Sequence, residues 1–355
     1  MCANRLSYNL SVTAGFATAE GTARFAARFV PARDRGFYRA VHTLEISTLG
    51  LGTYLGSPDE ATDRAYHQAA LAAVRGGINF LDTAINYRHQ RSEQSIGSAL
   101  AELFRTGAAS RDELVVATKA GFLTPGAVPS FLKPVDVVGN MHSMQPDFLA
   151  DQIDRSRANL GLDTLDIFYL HNPETQLGFV SRGEFDERIR MAFAKLEQLA
   201  AGGMIRYYGT ATWEGYRRPT GARDALDLAW LAGIAATEGG AEHHFRFIQL
   251  PFNLAMLEAF SNGLLDRAAE LGIAVVASAS LLQARLARDL PAALAEKFPG
   301  LSTDAQRAIQ FTRSTPGIAT ALVGMSHAAH VAENLQLAAV APLEPRAYQE
   351  LYQRA

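Results

Sequence analysis

The chain has 355 residues and a mass of 38.4 kDa, with 48% hydrophobic and 19% charged residues. That is too apolar for a disordered chain and too poor in charge for a coiled coil. Its 33 basic and 36 acidic residues leave a net charge of −3, so there is no cationic footprint for nucleic acid or for an anionic membrane. No apolar run approaches the roughly 20 residues of a membrane helix. The single cysteine, Cys2, excludes an intrachain disulfide and a thiolate metal cluster. These features predict a globular, cytoplasmic protein. Only four of the 33 basic residues are lysines, namely Lys119, Lys133, Lys195 and Lys297. Arginine serves where a surface cation suffices, so a lysine at an unusual place invites a chemical reason, because its pKa can shift.

Residues 1–40 read as an N-terminal extension. The stretch 11–30 is rich in Ala, Thr and Arg and lacks the apolar core of a secretory signal, while Glu20 argues against a transit peptide. A loose arm, or a strand pair added to the main fold, is expected there. From residue 41 to 355 the chain reads as one α/β domain. Strands are expected at 49–54, 79–84, 114–120, 166–171, 205–211, 245–252, 273–278 and 320–324. Amphipathic helices are expected at 61–75, 92–104, 148–160, 184–201, 222–235, 263–271, 302–313 and 328–338. Several of them stop at glycine (Gly76-Gly77, Gly161, Gly202-Gly203, Gly272) just before the next strand. Eight such units with apolar strands predict a (β/α)8 TIM barrel, ending in a helical tail. No Gly-x-Gly-x-x-Gly follows any strand, which weighs against a Rossmann fold.

In a barrel the chemistry sits where strands end. The second expected strand ends on Asp82, with Tyr87 five residues on; the third ends on Lys119 and the fourth on His171. Taken singly, each has a plain structural reading: Asp as a cap, Tyr as packing, Lys reaching to solvent, His as a hydrogen-bonded core residue. Together on one rim they suit proton delivery to a carbonyl. A phenol is a poor acid at neutral pH, and a nearby ammonium is expected to lower its pKa. Asp would keep the lysine charged, and His would aim a hydrogen bond at the carbonyl oxygen. None of the four donates hydride, so a reductase of this design needs a nicotinamide.

The segments 77–84 through Tyr87, Ser92-Glu93, Ile96-Gly97, 116–119, 159–163 and 166–171 resemble the signature of the aldo-keto reductases, over roughly residues 45–340. The resemblance implies a (β/α)8 barrel with NADPH across its C-terminal rim, Tyr87 as general acid assisted by Lys119 and Asp82, and His171 guiding the carbonyl. It also implies that Gly52, Thr53, Tyr54, Asp82, Thr212, Gln249, Ser278, Ser280, Leu281, Gly324, Met325, Ser326, His330, Glu333 and Asn334 bind the cofactor, with Gln249 on the nicotinamide amide. Three positions depart from the family pattern. Ala211-Thr212 stands where Ser-Asn is common, Ser278 where many members place a stacking Tyr, and His330 where an Arg meets the adenosine phosphate. An imidazole clamps a phosphate less well than a bidentate guanidinium, so NADPH is preferred while NADH is an alternative.

The connection 121–147 is long for a βα loop and carries Phe122, Phe131, Leu132, Met141 and Met144 among four prolines. It is expected to fold over the barrel mouth as a lid, with Phe122 near the nicotinamide and Trp213 and Phe252 facing it across the substrate pocket. The remaining histidines, among them His89, His142 and the pair His243-His244, lack metal-site spacing and are read as surface or loop residues. Two functions stand at this stage. One is an NAD(P)H-dependent reductase of a small carbonyl compound, or the reverse alcohol dehydrogenase. The other is a non-catalytic NADP-binding barrel with a regulatory role.

Overall fold

The computed structural model describes residues 12–219 and 221–352; Cys2 and the start of the N-terminal extension lie outside them. Two short helices, α1 (Ala19–Ala27) and α2 (Val30–Arg33), precede an antiparallel strand pair, β1 (Tyr38–Val41) and β2 (Leu44–Ser47). Eight parallel strands follow: β3 (Leu49–Gly52), β4 (Phe80–Asp82), β5 (Val115–Ala120), β6 (Leu165–His171), β7 (Ile205–Ala211), β8 (Phe245–Pro251), β9 (Ala274–Ser278) and β10 (Ile318–Gly324). They pair in chain order, and β10 closes on β3. This is the (β/α)8 barrel expected from the sequence, with the strand pair at its N-terminus.

The helical layer comprises α3 (Glu60–Arg75), α4 (Arg91–Arg105), α5 (Pro146–Leu160), α6 (Arg182–Ala201), α7 (Leu228–Gly239), α8 (Glu258–Ser261), α9 (Leu264–Glu270), α10 (Ala293–Lys297), α11 (Asp304–Ser314) and α12 (Ala328–Leu335). A final helix, α13 (Pro345–Tyr352), forms the tail. Local chemistry sets the helix ends. Pro146 opens α5, whose first turn is capped by Gln145, and Gly161 closes it at φ +66°, a backbone state that costs glycine nothing. The helix expected at 222–235 starts instead at Leu228. Asp227 accepts from the Trp230 N–H at 3.0 Å and so caps it there, while Leu226 turns back to the Gly215 carbonyl.

The barrel interior is filled by Phe80, Val115, Ile167, Tyr169, Phe247, Val276 and Leu322, joined by Ala17, Val41, Leu44 and Ile46 from the N-terminal segment. That segment therefore plugs one end of the barrel. Asp166 anchors it, accepting from the Ala17 N–H at 2.7 Å, the Val116 N–H at 2.8 Å and Arg111 at 2.7 Å. Arg39 donates to the carbonyls of Ile318 and Arg313. Arg313 is itself fully buried and donates to Gln310, Thr48 and the carbonyls of Leu337 and Val340; burial pushes its pKa down to about 9. With one end plugged, the opposite end is where a ligand can enter.

Candidate active site

The C-terminal strand ends surround one cavity of about 470 Å³. Gly52 closes β3, Asp82 β4, His171 β6, Ala211 β7, Ser278 β9 and Gly324 β10, and each lines it, together with Gln249 from β8. The register explains this convergence: Gly52 pairs with Asp82 and His171 with Ala211, so strands that end together deliver their last side chains together.

Asp82 and Lys119 meet at this end of the barrel, Lys119 being fully buried. The Lys119 Nζ donates to Asp82 Oδ1 at 2.6 Å and to the Thr83 carbonyl at 2.8 Å. The second Asp82 oxygen accepts from Gln249 Nε2 at 2.8 Å. Lys119 Nζ lies 4.9 Å from the centre of the Tyr87 ring. The His171 ring stands edge-on to Tyr87 at 5.8 Å, and Tyr54 meets Tyr87 at 5.0 Å. The four residues singled out from strand ends are thus one group.

Burial dominates the electrostatics here. It pushes the Asp82 carboxyl up and the Lys119 ammonium down, each opposed by the charge of the other. It also drives the Tyr87 phenol well above its usual value, with Asp82 and Tyr54 adding to the effect. This corrects the expectation that Lys119 would lower it. The lysine charge is matched by Asp82 at contact distance, so its attraction does not outweigh the hydration that a phenolate there would lose. Burial, with Lys119 and His142 nearby, holds His171 well below the usual imidazole range.

Two hydroxyls on the cavity wall, Thr212 Oγ1 and Ser280 Oγ, are buried without a hydrogen-bond partner. Such groups are rare in native proteins, and at a cavity they fit a polar ligand such as a nicotinamide dinucleotide. Thr53, Tyr54 and Leu281 line the same cavity. Of the positions expected from 324 onward, Gly324 lines the wall; Ser326 is half-buried and His330 is exposed on α12. Glu333 accepts from Thr303 Oγ1 at 2.7 Å, and Asn334 is buried with an unpartnered Oδ1. The apolar side chain of Met325 is fully buried in the hydrophobic core, which leaves only its backbone for a cofactor contact.

On the substrate side, Phe122 and Trp213 line the cavity as expected, but Phe252 does not. Its ring is fully buried and stacks on Phe311 of α11 at 6.2 Å, so it serves helix–barrel packing. The connection 121–147 is also not the lid that its composition suggested. Beyond Phe122 it packs outward: Ala127 accepts from Gln152 of α5, the Val135 carbonyl from Arg188 of α6, and Gly139 abuts Phe179. Phe131 and Met141 remain exposed without reaching the cavity. His142, read as a loop or surface residue, is fully buried behind His171.

Glu174, three residues beyond His171, was not singled out from the sequence. One of its carboxylate oxygens accepts from the backbone N–H groups of Trp213, Glu214 and Gly215, at 2.9, 3.1 and 3.3 Å. Burial raises its pKa, opposed by those donors. Glu174 thus ties the exit of β6 to the exit of β7 and fixes Trp213 on the cavity wall. Glu174→Ala, which strands three donors, is expected to cost about 2–3 kcal/mol. It should also shift the emission of Trp213, while Glu174→Gln, which keeps an acceptor oxygen, stays near wild type. A melt of Glu174→Ala that matches wild type would remove this brace. Asn86 and Asn172 on the wall were missed for a simpler reason: a loop amide carries no sequence signal of its own.

Comparison with known proteins accords with this geometry. A D-threo-aldose 1-dehydrogenase from a Pseudomonas species is 33% identical over 177 residues, covering 46% of this chain and 48% of that protein. The NADH-specific methylglyoxal reductase of Escherichia coli is 30% identical over 176 residues, covering 47% and 49%. The chain matches about half the length of these curated relatives. An aldo-keto reductase from Klebsiella pneumoniae, solved in complex with NADPH, shares the fold with a TM-score of 0.65 at 20% identity, over 89% of this chain and 95% of that one. The profile of the Aldo/keto reductase family matches residues 48–353, from the first barrel strand into the last helix, and the chain belongs to that family.

Proposed function

We propose that the protein is a nicotinamide-dependent carbonyl reductase, or in reverse an alcohol dehydrogenase, with Tyr87 as general acid and base. The observation that carries this reading is the buried Lys119–Asp82 pair against the Tyr87 ring, in a cavity that His171 also lines. A bound nicotinamide supplies the hydride, which no side chain here can provide. Gly52, Thr53, Tyr54, Thr212, Gln249, Ser278, Ser280 and Leu281 would hold it on the cavity side, with Gly324, Ser326, His330, Glu333 and Asn334 toward the adenosine.

Tyr87 gives its phenolic proton to the carbonyl oxygen as that oxygen becomes an alkoxide. Neutral His171 directs a hydrogen bond at the same oxygen. Lys119, kept charged by Asp82, is the cation that faces the phenolate left behind. The aromatic walls of Tyr54, Phe122 and Trp213, with the amides of Asn86 and Asn172, suit a small hydroxylated carbonyl. Of the two relatives, the aldose dehydrogenase supports a hydroxylated substrate, and the methylglyoxal reductase supports the broader class of small polar carbonyl compounds.

Initial rates of NADPH and NADH oxidation across a panel of aldehydes, aldoses and ketones test the reading. Turnover of at least one class is expected. Tight nucleotide binding with no turnover of any carbonyl would make the protein a nucleotide-binding interaction barrel instead. The dinucleotide preference has its own test. His330→Arg is expected to tighten NADPH by about tenfold or more, the worth of a charge-assisted hydrogen bond to a phosphate, and to leave NADH unchanged. Equal effects on both nucleotides would place His330 away from the phosphate.

A further inference from the structure

Behind the His171 strand end a chain of polar groups that the reaction scheme does not use runs from the buried His142 and Gln176 out to the half-buried Arg188 and the exposed Glu184. His142 Nε2 is 2.8 Å from the His171 carbonyl oxygen, and its Nδ1 is 2.9 Å from Gln176 Nε2. Gln176 Oε1 accepts from Arg188 at 2.6 Å, and Arg188 also pairs with Glu184 at 2.8 Å. The direction of every bond is forced. A guanidinium only donates, so the Gln176 oxygen must face Arg188 and its amide hydrogens must face His142. A carbonyl only accepts, so His142 must carry its proton on Nε2. Arg188, on the outer helix α6, thereby sets the tautomer of a histidine inside the rim.

The same histidine seats Phe122. The Phe122 ring stands edge-on to both His142 and His171, with centroids 5.1 and 5.2 Å away. Gly121 makes the approach feasible, since a Cβ there would lie 2.6 Å from His142 Nε2 and 2.7 Å from the His171 oxygen. The Ser143 N–H closes the loop onto the Gly121 carbonyl at 2.8 Å. Meanwhile the His171 ring has no bond of its own on the inner side, because its Nδ1 is buried and unpartnered. Its orientation therefore rests on its backbone and on the rings packed against it.

We infer that His142 is a positioning residue: locked as the neutral Nε2–H tautomer by Gln176 and Arg188, it fixes the His171 backbone and wedges Phe122 against the His171 ring. The inference rests on the reading above only in that His171 faces the reacting carbonyl. A second proton on Nδ1 would confront the Gln176 amide hydrogens, with Arg188 on α6 and His171 on β6 facing the same ring. Burial accordingly holds the His142 pKa down to about 4.

His142→Phe keeps a ring for Phe122 to pack on and removes both hydrogen bonds. It is expected to lower kcat about tenfold, near the upper end of what one hydrogen bond carries, with nucleotide affinity and KM held within about twofold. His142→Gln, which can donate and accept, should restore most of kcat. A folded His142→Phe with wild-type kcat overturns the inference. Long-range ¹H–¹⁵N NMR of the histidine rings supplies a readout that needs neither turnover nor a folded His142 variant. In wild type, His142 should remain a neutral Nε2–H ring between about pH 5 and 8. Gln176→Met should move the ring signals of His142 and His171 together. An Nδ1–H tautomer, titration of His142 near neutral pH, or a His171 signal that stays put in Gln176→Met would each sink it. If wild type reduces no carbonyl at all, the proposed function fails, while the NMR result still decides the role of His142.

Discussion

Tyr87→Phe is expected to cut carbonyl reduction by at least about 100-fold, the usual worth of a positioned general acid, while nucleotide affinity persists. Phe keeps the ring against Lys119, Tyr54 and His171 and loses only the hydroxyl. The pH profile adds an independent check. The Tyr87 phenol titrates well above its ordinary value because it is buried beside Asp82 and Tyr54. Reduction needs the protonated phenol, so its rate should stay flat through the neutral range. Alcohol oxidation needs the phenolate and should climb steadily as pH rises. Near-normal reduction by Tyr87→Phe, or an oxidation rate that levels off at neutral pH, would take Tyr87 out of the proton transfer.

Lys119→Met is expected to abolish turnover and to destabilise the fold by about 3–5 kcal/mol, the cost of leaving one member of a buried ion pair alone. Asp82 would keep its bond from Gln249 but lose the 2.6 Å contact with the ammonium. Its carboxyl, already pushed up by burial, would then rise further and take up a proton in the folded state. A carboxyl raised above its unfolded value favours the folded state as pH falls, so the variant should regain stability on acidification from neutral pH toward the unfolded carboxylate range. The double variant Asp82→Leu with Lys119→Met should recover much of the lost stability at neutral pH and none of the activity. Thermal melts against pH decide this. A Lys119→Met protein as stable as wild type at neutral pH would contradict the buried pair.

Residues that end strands were legible because parallel strands in register must deliver their last residues to the same side. Asp82, Lys119 and His171 each stand at the C-terminal end of a short apolar run, and one run of 3.3 Å steps is enough to place them. Phe252 lies just beyond the end of β8, where the chain leaves the pleat and alternation no longer says which way a side chain points; it turned toward Phe311. His142 was illegible for a different reason. Its partners, Gln176 and Arg188, sit in other elements, and nothing in the spacing of the 121–147 connection reports that they meet. The pKa of Tyr87 escaped as well. A nearby lysine can be read from sequence, but its neutralisation at contact distance by Asp82 cannot. The shortage of lysine did carry information, since one of the four is the fully buried Lys119.

The plug at the closed end of the barrel has a consequence for how the chain is made. Its own residues leave the ribosome before the barrel strands, and although Ser47 and Tyr38 can meet Asn79 and Gly77 early, other groups that hold them come much later. Ala17 waits for Asp166, and Arg39 waits for Arg313 and Ile318. A nascent chain that has built its first several strand–helix units therefore carries Val41, Leu44 and Ile46 with no interior to enter. Contacts of such sequence separation are slow to close, and exposed apolar segments of a growing chain are where aggregation begins. Part of the plug thus stays uncovered until the last barrel strand is released, and that strand completes the closed end and the cavity rim in one event.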